Sequence, residues 1–114
     1  MELTSAHLRY LLCIYELSRS APAVSSAEIA GRLKVTKPSV SRMLAALMEK
    51  ELLVKERYGK VYLTDEGAAV ARGLEHNIAI LAKNIPKMQL VMTPSEVREA
   101  TRAIASVMPV GKRL

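Results

Sequence analysis

The stretch Thr36-Lys37-Pro38-Ser39-Val40-Ser41-Arg42-Met43-Leu44-Ala45-Ala46-Leu47-Met48-Glu49-Lys50 reads as a helix with one face for packing and one for a partner. Thr36 predicts the N-cap, its hydroxyl accepting from first-turn amides. Pro38 suits that turn because its missing N–H would have no partner there. At about 100° per residue, Val40, Leu44, Leu47 and Met48 gather on one side, and Pro38, Ser39, Arg42, Ala45 and Ala46 on the other. The second face is small, polar and cationic, and Lys37 and Ser41 are further candidates for contact with a partner. Its alanines allow close approach, Arg42 carries the planar fork that pairs with guanine, and Ser39 can reach a base edge or a phosphate. An ordinary surface helix shows a similar pattern, so the neighbouring segments decide.

Upstream, Ser25-Ser26-Ala27-Glu28 forms a capping box ahead of Ile29, Ala30 and Leu33, which predicts a short helix. Leu33-Lys34-Val35 then links it tightly to the helix from Thr36, and a short helix, a tight link and a longer helix is the helix-turn-helix layout. Downstream the period changes. Leu52 to Arg57, the turn Tyr58-Gly59, and Lys60 to Thr64 predict a hairpin, the wing of a winged helix. Lys55, Arg57 and Lys60 fall near its tip, where basic groups reach phosphates or a minor groove; the bland reading makes them basic for solubility alone.

Thr4 or Ser5 caps a first helix running to about Arg19. Leu8, Leu11, Leu12 and Tyr15 line one side and Tyr10, Ile14 and Leu17 nearly the opposite one, so this helix belongs between two layers. Ser20 to Val24 reads as a connection. Thr64 caps a fourth helix reaching about Asn84, whose stripe of Val70, Ala71, Leu74, Ile78, Leu81, Ala82 and Ile85 exceeds what a small winged domain needs and implies a partner. Pro86 to Met92 is a connection, Thr93-Pro94-Ser95-Glu96 a second capping box, and a fifth helix follows until Pro109 and Gly111 stop it. The fold class is mainly α: a winged helix-turn-helix over residues 1–65 and a helical dimerisation region over 66–114, in one compact unit.

Composition agrees with that class. The chain has 114 residues, no Trp or Phe, four Tyr and 50% apolar residues, so the core must be aliphatic, which favours helices. Its net charge of +6 favours nucleic acid over membrane, because no helix joins a strong basic face to bulky apolar anchors. No run approaches the roughly 20 apolar residues that span a bilayer, and a cytoplasmic location is expected. No phosphate loop, nucleophile elbow or His-Glu-x-x-His motif is present, and there are only two histidines, so an enzyme is not expected. Cys13, the single cysteine, lies on the greasy first helix as an apolar filler or, given access and a depressed pKa, a thiol sensor.

Several strings together resemble the diphtheria toxin repressor and manganese transport regulator family. They are Arg9-Tyr10-Leu11-Leu12-Cys13-Ile14-Tyr15-Glu16-Leu17, Glu28-Ile29-Ala30-Gly31-Arg32-Leu33, Pro38-Ser39-Val40-Ser41, Leu63-Thr64-Asp65-Glu66-Gly67, and the Thr-Pro-Ser-Glu-Val-Arg-Glu-Ala opening of the fifth helix. Multiple-antibiotic-resistance-type regulators share the wing and the Leu-Thr-x-x-Gly-like start of the next helix. The resemblance implies a metal-dependent dimeric repressor on palindromic operators, with DNA contacts at Thr36, Pro38, Ser39 and Arg42. The implied metal ligands do not carry over. Their positions hold Arg9 and Leu12 on the first helix, Ile80 four after His76 on the fourth, and Arg102, Ala105 and Ser106 on the fifth. His76 alone survives, and one imidazole does not hold a divalent ion, so neither metal nor other cofactor is expected. Either Arg9 and Arg102 set fixed positive charge where the metal would sit, or they are two solvated arginines.

The sequence therefore predicts a sequence-specific regulator of transcription, a homodimeric repressor bound to double-stranded DNA at a palindromic operator and not activated by metal in the family manner. The alternatives are a winged-helix protein-interaction module, and a multiple-antibiotic-resistance-type regulator answering a small molecule. The effector is not legible.

Overall fold

The computed structural model describes residues 3–108. The first helix, α1 (Ser5–Leu17), starts on a reciprocal cap: Thr4 Oγ1 accepts from the His7 N–H at 3.2 Å, and His7 Nδ1 accepts from the Thr4 N–H at 3.0 Å. Burial, and then the positive charge of Lys50, hold the His7 pKa below the ordinary histidine value, which keeps Nδ1 free to accept. Leu8 and the unbroken run Tyr10 to Ile14 are buried, as expected of a helix enclosed on several sides. α1 ends at Leu17, before Arg19. Arg19 instead lies over the Tyr15 ring and pairs with Glu75.

The connection before the second helix does more than link. Val24 forms a two-bond bridge with Val61, donating to it at 2.8 Å and accepting from it at 2.9 Å, and so adds a one-residue rung to the wing. The sequence reading of Ser20 to Val24 as mere connection is corrected on that point. Helix α2 (Ser26–Leu33) has the predicted capping box, Ser25 with Glu28, and Lys34 ends it in the left-handed conformation at φ 57°. Helix α3 (Lys37–Glu49) is capped by Thr36, and Glu51, at φ 61°, turns the chain into the hairpin.

Strands β1 (Leu53–Lys55) and β2 (Val61–Leu63) are antiparallel, with Val54 opposite Tyr62. Helix α4 (Asp65–Asn84) begins where Thr64 Oγ1 accepts from the Gly67 N–H at 3.0 Å and donates to the Glu51 carbonyl at 2.8 Å, locking the helix start to the end of α3. A short 3-10 turn, Ile85–Met88, occupies the start of the expected connection, and α5 (Pro94–Val107) opens on the Thr93–Glu96 box. Pro109 and Gly111, the predicted stop, lie outside the described residues.

One apolar core runs from Leu8 on α1 to Ala105 on α5, so the helical region shares the core of the winged part. This changes the meaning of the α4 stripe. Val70, Ala71, Leu74 and Ile85 are buried within the chain, and Ile78 and Leu81 pack on the rim of its core. The stripe is therefore largely used by α1, α5 and the turn after α4, rather than left for a partner. Ala82 is the exposed member of the stripe, and the large exposed apolar side chains of this region lie outside it: Ile80 on α4, Ile104 and Val107 on α5, and Met88, Leu90 and Val91 between them.

Candidate nucleic-acid interface

Helix α3 divides as its sequence predicts. Val40, Leu44 and Leu47 are buried, fixing the roll of the helix, while Lys37, Pro38, Ser41, Arg42 and Ala45 are exposed and Ser39 is half-buried. The first turn is ordered by its own side chains. Thr36 Oγ1 accepts from the Ser39 N–H at 3.3 Å and donates to Ser39 Oγ at 2.9 Å, and Arg42 Nη2 donates to the same hydroxyl at 3.4 Å. The last bond is long, so the guanidinium is parked beside Ser39 without being held there and can swing to another acceptor at small cost. A free face of small, polar and cationic groups on a helix of a helix-turn-helix is suited to base edges and phosphates.

In the wing, Lys55 and Lys60 are exposed at either end of the turn, which closes with the Gly59 N–H donating to the Glu56 carbonyl at 3.2 Å. Arg57 starts this turn with its backbone; its side chain lies outside what the structure describes. Two candidates escaped the sequence reading. Tyr58 stands at the tip, 93% exposed, with φ 70°, a conformation unusual for an aromatic residue. Lys34, exposed in the tight link, also has positive φ. Exposure and conformation are set by tertiary structure, and neither residue type announces them.

Behind this unit, a cavity of about 580 Å³ opens between α1, the end of α2, α4 and α5. Of the positions that the resemblance gives to metal, Arg9, Leu12, Arg102 and Ser106 line it. Ala105 is buried in the core, and His76 and Ile80 are exposed and do not line the cavity. The donor set does not fit a divalent cation. The lining places Arg9, Arg32 and Arg102 there, and no group of three His, Cys, Asp or Glu suited to a metal exists among the described residues.

Cys13 also lines the cavity, yet it is 3% exposed, and burial followed by the charge of Glu16 pushes its thiol pKa up against the opposing pull of Arg32. A raised pKa leaves little thiolate at neutral pH. Labelling of the native protein by a disulfide reagent at pH 7.5 is expected to run at least about 100-fold slower than in denaturant, since opening of the helix must come first. Equal rates would restore the thiol-sensor reading.

The helix-turn-helix, the wing and their exposed basic residues define the class: a winged-helix DNA-binding domain. The pattern of the iron dependent repressor N-terminal DNA binding domain matches residues 2–61, and the chain belongs to that family. Its fold is shared with solved regulators. The manganese regulator SloR superposes with a TM-score of 0.75 at 26% identity, over 96% of this chain and 49% of that one. The apo form of the manganese-activated repressor ScaR gives 0.67 at 28% identity, over 89% and 48%. A hypothetical protein of Sulfolobus solfataricus, SSo2273, gives 0.69 at 24% identity, over 94% and 81%, and shows likeness of fold alone. The chain thus spans about half the length of SloR and ScaR. No protein of curated function matches it in sequence. Among the described residues, no helix is long and apolar enough to cross a membrane.

Proposed function

We propose that this protein is a homodimeric, sequence-specific repressor, acting in the cytoplasm on a near-palindromic operator and binding it without an activating metal. The observation that carries the reading is the exposed face of α3, where Arg42 is loosely parked on Ser39 and the apolar side is wholly engaged in the core. In this reading α3 enters the major groove. Arg42 and Ser39 read bases, Thr36, Pro38 and Ser41 border the readout, and Lys37 with the wing's Lys55, Arg57 and Lys60 engages phosphate. Tyr58, at the wing tip, meets the backbone or the minor groove. Residues 66–114 supply the dimer contact, supported by the exposed Ile104 and Val107 on α5 and Ile80 on α4. Independence from metal is supported by the arginines at the family's ligand positions.

Selection from a random duplex pool in the presence of a chelator tests the proposal: an enriched palindrome is expected. Enrichment only after adding manganese or ferrous ion would refute metal independence, and no enrichment from folded protein in either condition would refute operator recognition itself.

Salt titration supplies a second test. If about three of Lys37, Lys55, Arg57 and Lys60 meet phosphate at any time in each of two protomers, the slope of log affinity against log salt is expected near −5. Lys60→Ala, counted twice in the dimer, should flatten it by roughly 2 while weakening all sequences alike. A slope unchanged by this substitution would remove Lys60 from the interface.

A further inference from the structure

The cavity behind the winged unit has a floor and a charge that match one chemical class. Leu12, Leu74 and Ile78 give it an apolar floor, Arg9 on α1 and Arg102 on α5 bring two guanidinium groups to its lining, and with Arg32 these three cations outnumber the two carboxylates that also line it, Glu16 and Glu99. Neither Arg9 nor Arg102 has a carboxylate within salt-bridge distance among the described residues, whereas Arg32, the third cation of the lining, is partly neutralised by Glu16 at 3.7 Å. Both arginines are exposed, so their guanidinium groups stay hydrated until something enters. The volume, about 580 Å³, lies within the range of pockets that hold small organic molecules.

We propose that this cavity binds a small organic acid: an aromatic or branched apolar body resting on Leu12, Leu74 and Ile78, and a carboxylate taken by the forks of Arg9 and Arg102. The site is unlike a metal centre in chemistry, and it involves no residue of the DNA-reading face. A bare inorganic anion would satisfy the arginines and leave the apolar floor wet. An apolar molecule would fill the floor and leave the guanidinium groups unanswered.

The inference concerns binding and stands whether or not an operator is found. The test titrates the full chain with 2-naphthoate, with 2-naphthylmethanol as the uncharged body and with inorganic phosphate as the bare anion, followed by calorimetry and by backbone amide shifts. The expected result is saturable binding of 2-naphthoate with a Kd on the order of 1 mM or tighter. Its shifts should centre on Arg9 to Glu16 and Glu99 to Ser106, with the other two probes weaker by about tenfold. Arg9→Ala and Arg102→Ala should each weaken 2-naphthoate by about tenfold, and Arg102→Lys by less, since the charge remains without the fork. Lys83→Ala, on α4 away from the lining, should change nothing.

Absence of saturable shifts up to about 10 mM naphthoate would overturn the proposal. So would equal binding of the alcohol or of phosphate, arginine variants that bind as tightly as the parent, or a shift pattern lying on α3. Both arginines are exposed and have no salt bridge among the described residues, so their loss is expected to leave the melting temperature of the protein in place, and a folded variant with reduced binding reports on the site.

Discussion

Gly67→Ala is expected to lower the stability of the protein by about 3 kcal/mol and its melting temperature by roughly 12 °C. The reason is a single close approach. A Cβ built at Gly67 would stand 2.1 Å from the Leu52 carbonyl oxygen and 3.0 Å from its carbon. That carbonyl cannot turn aside cheaply, because it accepts from the Thr64 N–H at 3.1 Å at the point where Thr64 also caps α4 and bonds to Glu51. The added methyl must therefore push the start of α4 from the joint between α3 and β1. Gly31 provides the contrast. It lies in α2 with nothing within 4 Å of a built Cβ, so Gly31→Ala is expected to stabilise by about 0.5–1 kcal/mol through helix propensity. Thermal unfolding of the two variants checks both signs, and a Gly67→Ala protein melting with the parent would show that the joint yields more easily than its hydrogen bonds imply.

The second large effect is on DNA. Arg42→Ala is expected to cost about 1–3 kcal/mol in operator affinity per protomer, and hence about 2–6 kcal/mol in a dimer that uses both copies. The loss should be concentrated at one base pair in each half-site, where replacing the preferred base should no longer matter to the variant. Arg42→Lys separates the components of this effect: the charge, and with it most of the salt slope, remains, while the bidentate fork is lost and discrimination falls. Binding measured against a set of operator variants reads the outcome. A uniform loss over all sequences would make Arg42 a phosphate contact, and no loss would move base recognition elsewhere on α3.

Much of the fold is written locally. Ser25 with Glu28, Thr36 before Pro38, Thr64 before two acids and Thr93 with Glu96 are caps whose partners lie three residues away, so chemistry and spacing suffice to place the helix starts. The exposed face of α3 is legible for the same reason, since one helix's periodicity settles which side is buried. What escaped depends on segments far apart in the chain. The Val24 rung needs Val61, 37 positions on, and leaves no pattern in one residue. The cavity takes its lining from four helices, and the sequence offered Arg9 and Arg102 as fixed charge at vacated ligand positions or as solvated arginines, without the cavity or the apolar floor between them. The α4 stripe was read correctly as apolar and wrongly as surplus, because periodicity identifies a face to be covered and is silent about whether α1, α5 or a second copy covers it.

The rung at Val24 has a consequence for how the protein keeps company with itself. A hairpin ordinarily offers two open edges, each able to recruit a strand from another molecule. Here the outward N–H and carbonyl of Val61 are both taken by the chain's own Val24, and the opposite strand ends in Lys55, whose charge discourages a neighbour. One valine, through its backbone alone, thus acts as a selvedge. A strand from another molecule could pair at Val61 only by displacing it.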